Sequence, residues 1–248
     1  TKVIANLNDL GLVNLKVDLT NSKYNADEAR LNKSNILFAF KPTPSNDLSK
    51  VKGTVGVKKS PLALLLKKID FNDNVVQFDN LSKKKKKGID FNHLKITNLN
   101  LGAKDLNFNN DGIFVKVNNG SFKDKSGFIL NELKGDATYT DQQIKLTNFI
   151  LKTPFTSINN ATELNFTSIE DLTKHPEKVK LNLNFKNTII GVKDAVFFSD
   201  AIPANYKNET LKLNANLNGY LNNLKINQLQ EKKKKNTQID ISGKAKGL

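Results

Sequence analysis

Along this chain, apolar side chains fall on alternate residues, slip by one, and then alternate again. Leu94-Lys-Ile-Thr-Asn-Leu-Asn-Leu101 shows this most plainly: apolar residues stand at 94 and 96, then at 99 and 101, with Lys, Thr and Asn between them. Side chains of a strand point to alternate faces, so an uncorrected slip sends its second half to the wrong face. A β-bulge takes up one extra residue and restores the face. The pattern predicts a long, bent strand, apolar on one side and polar on the other. Ile144-Lys-Leu-Thr-Asn-Phe-Ile-Leu151 repeats it, and Leu10-Gly-Leu-Val-Asn-Leu-Lys-Val17 matches in phase. Leu224-Lys-Ile-Asn-Gln-Leu229 is a shortened copy and Leu66-Lys-Lys-Ile-Asp-Phe71 a weaker one. Self-similar strands predict a repetitive β architecture; the alternative is coincidence in a chain rich in Leu, Asn and Lys.

The remaining elements follow from the same periodicity. Strands are expected over Val3–Asn8 and Leu12–Leu19, the second with Val13, Leu15, Val17 and Leu19 on one face. Asn21–Lys33 is polar and reads as a loop. Asn35–Lys41 is apolar on both faces and ends at Pro42 and Pro44, which cannot donate to a ladder. Val51–Lys58 alternates, and Ser60-Pro61 before Leu62–Lys68 predicts a short capped helix. Asn74–Asp79 is a short strand. Asn109-Asn-Asp-Gly112 and Thr140-Asp-Gln-Gln143 are turn signals, the first leading into Ile113, Val115 and Val117. Leu164–Thr167 is a short strand, and Ser168-Ile-Glu-Asp171 resembles a capped helix start closed by Pro176. Val179–Phe185, Leu211–Leu217 and Ile239–Ile241 alternate again. Gly191–Ala201 predicts one more short helix whose Val and Phe residues plug an end or edge of the sheet. The fold class expected is mostly β, an elongated curved sheet of repeated strands with two or three short helices.

Composition sharpens this picture. Only 38% of the 248 residues are hydrophobic, which suits a sheet with one wet face better than a thick closed core. There is no Cys, and His93 and His175 stand far apart, so disulfides and transition-metal sites are not expected. Met is absent even at position 1, as in an internal piece of a longer protein, and no signal peptide or run of 18 apolar residues appears. Net charge is +15; removing the five lysines of Lys83–Lys87 and the four of Lys232–Lys235 leaves +6. Such tracts meet nucleic acid or anionic lipid, or are solvated loops, and both runs lie between strand-like segments. With one Arg and inward-facing Phe residues, nucleic-acid binding is a poor reading.

No phosphate loop, GxSxG elbow or HExxH helix is present. Asp70, Asp90, Asp105, Asp124 and Asp141 lie mostly in turns, where Asp serves backbone hydrogen bonds. His93 beside Asp90 is either a base with its orienter or a surface histidine at a strand end. No catalytic, cofactor-binding or metal residue is assigned, and the chain is read as non-enzymatic.

GIDFNHLKITNLNL (88–101), SFKDKSGFILNEL (121–133), NTIIGVKDAVFF (187–198) and NTQIDISGKAKGL (236–248) resemble segments of the TamB proteins of Bacteroidota-type bacteria, within the AsmA-like group. The resemblance covers residues 65–248 well and the first sixty loosely. It divides the chain into a first part of a groove (1–82), a Lys-rich loop (83–87) and an AsmA/TamB-like segment (88–248). It implies a β-groove, or "β-taco", crossing the periplasm, anchored in the inner membrane through a segment outside this chain. It also implies outer-membrane biogenesis, by carrying phospholipid between membranes. The alternative it implies is assembly of outer-membrane β-barrel proteins with a barrel partner of the Omp85 type, through β-augmentation. The residues themselves point the same way, because an uncovered apolar sheet face needs an occupant. Leu94, Ile96, Leu99, Leu101, Ile144, Leu146, Phe149 and Leu151 are expected to line the trough for acyl chains; in the competing arrangement they close on one another in a sandwich.

Overall fold

A computed structural model describes residues 2–41, 62–199, 201–233 and 237–246. Its first strand line is broken twice, into β1 (Lys2–Asn6), β2 (Asp9–Val13) and β3 (Lys16–Asp18). Its second is β4 (Lys23–Asn32) and β5 (Asn35–Phe40), broken at Lys33 and Ser34. β6 (Ala63–Asn80) runs unbroken beside both and parallel to them. An antiparallel meander follows: β7 (His93–Asn109), β8 (Gly112–Asp124), the two-residue β9 (Ile129–Leu130), β10 (Glu132–Tyr139), β11 (Gln143–Lys152) and β12 (Ser157–Asn165). It closes with β13 (Lys180–Gly191), β14 (Thr210–Tyr220), β15 (Asn223–Lys233) and β16 (Thr237–Lys246). All sixteen belong to one curved sheet that does not close on itself, so the sandwich alternative does not hold. The one-turn helices α1 (Asp171–Lys174) and α2 (Val192–Ala195) sit in connections.

The register separates the two faces. One row of directly paired residues crosses the first six strand lines as Val17, Tyr24, Leu64, Phe108, Ile113 and Tyr139. It continues over the other six as Ile144, Leu164, Leu181, Gly219, Leu224 and Ala245. One residue along, on the opposite face, the meander pairs Thr138, Lys145, Glu163, Asn182, Asn218 and Lys225. At about 4.8 Å per strand, the apolar row extends on the order of 50 Å.

Bulges keep the faces in phase. Asn98 and Asn148 have φ of 49° and 52°, and the register shifts at both. Asp73 and Asn187 take the same left-handed conformation on β6 and β13, and Lys33 marks the break between β4 and β5. Asn and Asp visit this region at the least cost among residues with a side chain. Their side chains tie neighbouring strands on the outer face: Asn98 Nδ2 donates to Asp73 Oδ1 (3.0 Å) and Asn148 Nδ2 to Asp136 Oδ2 (3.1 Å). Each such bulge bends the strand that carries it, and the sheet curls accordingly.

Several expectations change here. Asn21–Lys33 is not a loop but carries β4, whose inward side chains are Tyr24, Ala26, Ala29 and Leu31. Two of these are alanines and a slip separates them, so the stripe hides among charges. Leu62–Lys68 is not helical, because pairing with β4 and β7 on both sides outweighs its helix propensity. Val13 does not share a face with Val17: Asn14 (φ 53°) bulges between them, on a second line with Asp105 (φ 54°). Lys232 and Lys233 end β15 rather than lying in a loop. Lys83–Lys87 is a loop, as expected. Val51–Lys58, Pro42, Pro44, Ser60 and Pro61 lie outside the described residues.

Candidate functional site: an apolar trough and its rims

All eight trough residues project from one face. Leu94 pairs with Phe78, Ile96 with Val76, Leu99 with Asn74 and Leu101 with Phe71. Ile144 pairs with Leu164, Leu146 with Thr162, Phe149 with Asn160 and Leu151 with Ile158. The two groups join across β8 and β10, where Leu101 faces Gly120 and Leu133 faces Leu151. All eight are half-buried. In a single-layer sheet that shielding comes from curvature and from neighbours on the same face, which makes this the concave side.

Exposure along the trough is graded. Ala103, on the same face in the interior strand β7, is 1% exposed, whereas Leu10 on β2 is 54% exposed and Ile241 on β16 is 43% exposed. The apolar surface therefore opens at both ends of the strand stack. Polar groups on the inner face gather at the bend. Asn74 is fully buried, accepting from Ser34 N–H (3.0 Å) and donating to Leu31 C=O (2.8 Å). Thr188 is fully buried as well, and buried Asn160 donates to Thr162 Oγ1 (2.7 Å). Asn74 and Thr188 bond backbone groups beside the bulges, and periodicity alone gives no sign of any of the three.

One rim is strapped. After α2 the chain runs back along the strand ends, as the plug expected from Gly191–Ala201. Asp194 anchors it: buried, it accepts hydrogen bonds from the Thr153 and Thr156 hydroxyls. Phe128 then meets Phe197 and Phe198 edge-on, at 5.8 and 5.3 Å between centroids, and Ile89 N–H donates to Phe197 C=O (2.8 Å). Gly88 has φ of +70°, and a Cβ there would collide with the Phe197 carbonyl oxygen.

His93 is neither a base oriented by Asp90 nor a surface residue. It is buried, with Nδ1 3.1 Å from Asp79 Oδ1 and Nε2 2.8 Å from the Lys83 carbonyl oxygen, so it clamps the start of the Lys-rich loop to the sheet. The Gln77 amide first, then His93, hold the Asp79 carboxyl below the usual carboxylate range. Burial pushes Asp90 up, but the amides of Lys86 and Asn92 outweigh it and hold Asp90 below that range too. Among the described residues no three His, Asp or Glu side chains gather as a metal would require, and no helix is long and apolar enough to cross a membrane. Compared with protein-family models, curated proteins and solved structures, the chain matches none.

Proposed function

We propose that the concave face is a trough for the acyl chains of phospholipids, and that the chain is a non-enzymatic groove segment carrying lipid across an aqueous compartment. The observation that supports this most is the apolar row crossing all twelve strand lines of an unclosed, single-layer sheet. Keeping an acyl chain out of water is worth about 0.8 kcal/mol per CH₂, or roughly 12 kcal/mol for a sixteen-carbon chain. A continuous apolar wall removes most of that barrier while the headgroup stays wet. The resemblance to TamB agrees with this reading, and under it the chain works in the periplasm between inner and outer membranes.

A second reading is favoured by the sheet edges. β16 and the line β1–β3 each have a side with no strand paired to it among the described residues, as strand addition to a client outer-membrane barrel requires.

Native mass spectrometry of Leu99→Asp, with Lys95→Asp on the outer face as control, tests the first reading. Co-purified lipid should be lost from Leu99→Asp and retained by Lys95→Asp, with unchanged circular dichroism in both. Equal lipid in the two variants rejects the trough. Backbone-edge crosslinks to a barrel protein, with no lipid bound, select the second reading.

A further inference from the structure

The two rims differ in charge, and the difference bears on a surface separate from the trough. On the strapped rim the described parts of the connections, 81–92, 125–131, 153–156, 192–199 and 201–209, carry Lys83–Lys87, Lys125, Lys193 and Lys207 against Asp90, Asp194 and Glu209, a net +5. On the opposite rim, 110–111, 140–142, 166–179 and 221–222 carry Lys174 and Lys178 against Asp111, Asp141, Glu170, Asp171 and Glu177, a net −3. Two of the acids on the strapped rim are turned inward: Asp90 takes backbone amides of Lys86 and Asn92, and Asp194 takes threonine hydroxyls. None of the strapped rim's lysines forms an ion pair among the described residues. Lys193 instead sits over the Phe155 ring, 4.8 Å from its centroid.

Large apolar side chains stand exposed on this same rim. Phe91 is 67% exposed, Leu81 61% and Phe198 57%. Phe91 and Phe198 flank a cleft of 480 Å³ shared with Lys86 and Lys87. They are held outward by built structure: Phe198 by Phe128, and the Lys loop by His93 and by the Gly88–Phe197 contact. Bulky apolar tips interleaved with unpaired lysines fit a bilayer interface, where the tips enter the headgroup region and the lysines meet anionic lipid.

We propose that this rim docks on the surface of an anionic bilayer. A polyanion such as RNA would engage the lysines but leave Leu81, Phe91 and Phe198 in water. The proposal does not need the trough to carry lipid.

The test uses the whole chain and phosphatidylcholine vesicles with or without phosphatidylglycerol. The protein has no Trp, so Phe91→Trp supplies a single fluorescent reporter, with Ile169→Trp on the opposite rim as its control. Anionic vesicles should blue-shift the emission of the Phe91→Trp variant but not that of Ile169→Trp, and neutral vesicles should shift neither. Replacing Lys83–Lys87 with Gln should weaken binding at least tenfold, since each lysine near such a surface contributes about fivefold. Leu99→Asp should leave vesicle binding intact even if it abolishes lipid in the trough. Binding without a shift in the Phe91→Trp variant, equal binding to neutral vesicles, or full affinity in the Gln variant would overturn the proposal.

Discussion

Asn98 is the residue on which the trough's geometry can be tested most directly. It stands at φ 49°, between Ile96 and Leu99, where β7 takes up its extra residue against β8. Asn98→Gly keeps the left-handed conformation free of strain and loses the exposed bond to Asp73. Loss of a bond worth ~1 kcal/mol and the extra chain entropy of Gly bound its effect near 1 kcal/mol. Asn98→Val loses the same bond and forces a β-branched residue into a region costing about 1–2 kcal/mol more. Deleting residue 98 acts differently: it takes out the extra residue, so Leu94, Ile96, Leu99 and Leu101 fall into plain alternation on the same face and β7 straightens. The bond to Asp73 and the match of β7 to its neighbours are lost, but no apolar side chain turns outward, so the deletion should cost about 1–3 kcal/mol. Urea unfolding should give the Val variant a lower midpoint than the Gly variant, with similar slopes, and the deletion should still unfold in one cooperative step. Equal midpoints for Gly and Val would refute the left-handed bulge at residue 98, and a deletion that abolishes folding would refute Asn98 as the extra residue.

Two further outcomes follow from the rim and the outer face. Gly88→Ala combines a positive φ with a collision against the Phe197 carbonyl, so it should destabilise by about 1–3 kcal/mol and increase hydrogen exchange at Ile89, whose amide depends on that contact. Glu132 is held at about 2, from 4.5, by hydrogen bonds from Lys134 and Lys152. A depressed carboxylate stabilises the fold above its unfolded value, and that contribution is lost as pH falls from about 4.5 through about 2. Glu132→Gln should therefore flatten this part of the acid-unfolding curve, and an unchanged curve would show that the two lysines do not hold Glu132 in solution.

The two-faced sheet is legible because its outer face is wet. Where Asn, Lys and Thr alternate with Leu and Ile, as over 94–101 and 144–151, the slip itself betrays the bulge, and the Asn in it announces the left-handed residue. β4 escapes such a reading because Ala26 and Ala29 bury well in a tight curve yet carry little hydropathic signal. The start of β6 escapes for the opposite reason: Leu62 to Leu66 is apolar on both faces, so periodicity cannot separate strand from helix, and Ser-Pro favours the helix. For His93 the neighbour in sequence misleads, because its partner is Asp79, fourteen residues away on the adjacent strand, rather than Asp90 three residues away. No local pattern carries that pairing, which exists only once β6 and β7 are in register. The rim's charge asymmetry is invisible for the same reason, since it depends on which connections fall on which side.

Sheet faces ordinarily find their burial against a second layer. Here the bend replaces that layer. Its angle is set in the backbone, by residues such as Asp73, Asn98, Asn148 and Asn187 linked on the solvent side, and not by side chains packed across the concavity. The apolar wall can therefore change in detail without changing the width of the trough, provided each bulged strand keeps its extra residue. It also explains why so polar a chain sustains so long a hydrophobic surface. The asparagines that make it polar hold the curve, and the curve keeps Leu, Ile and Phe half-shielded while leaving space that the protein's own side chains do not fill.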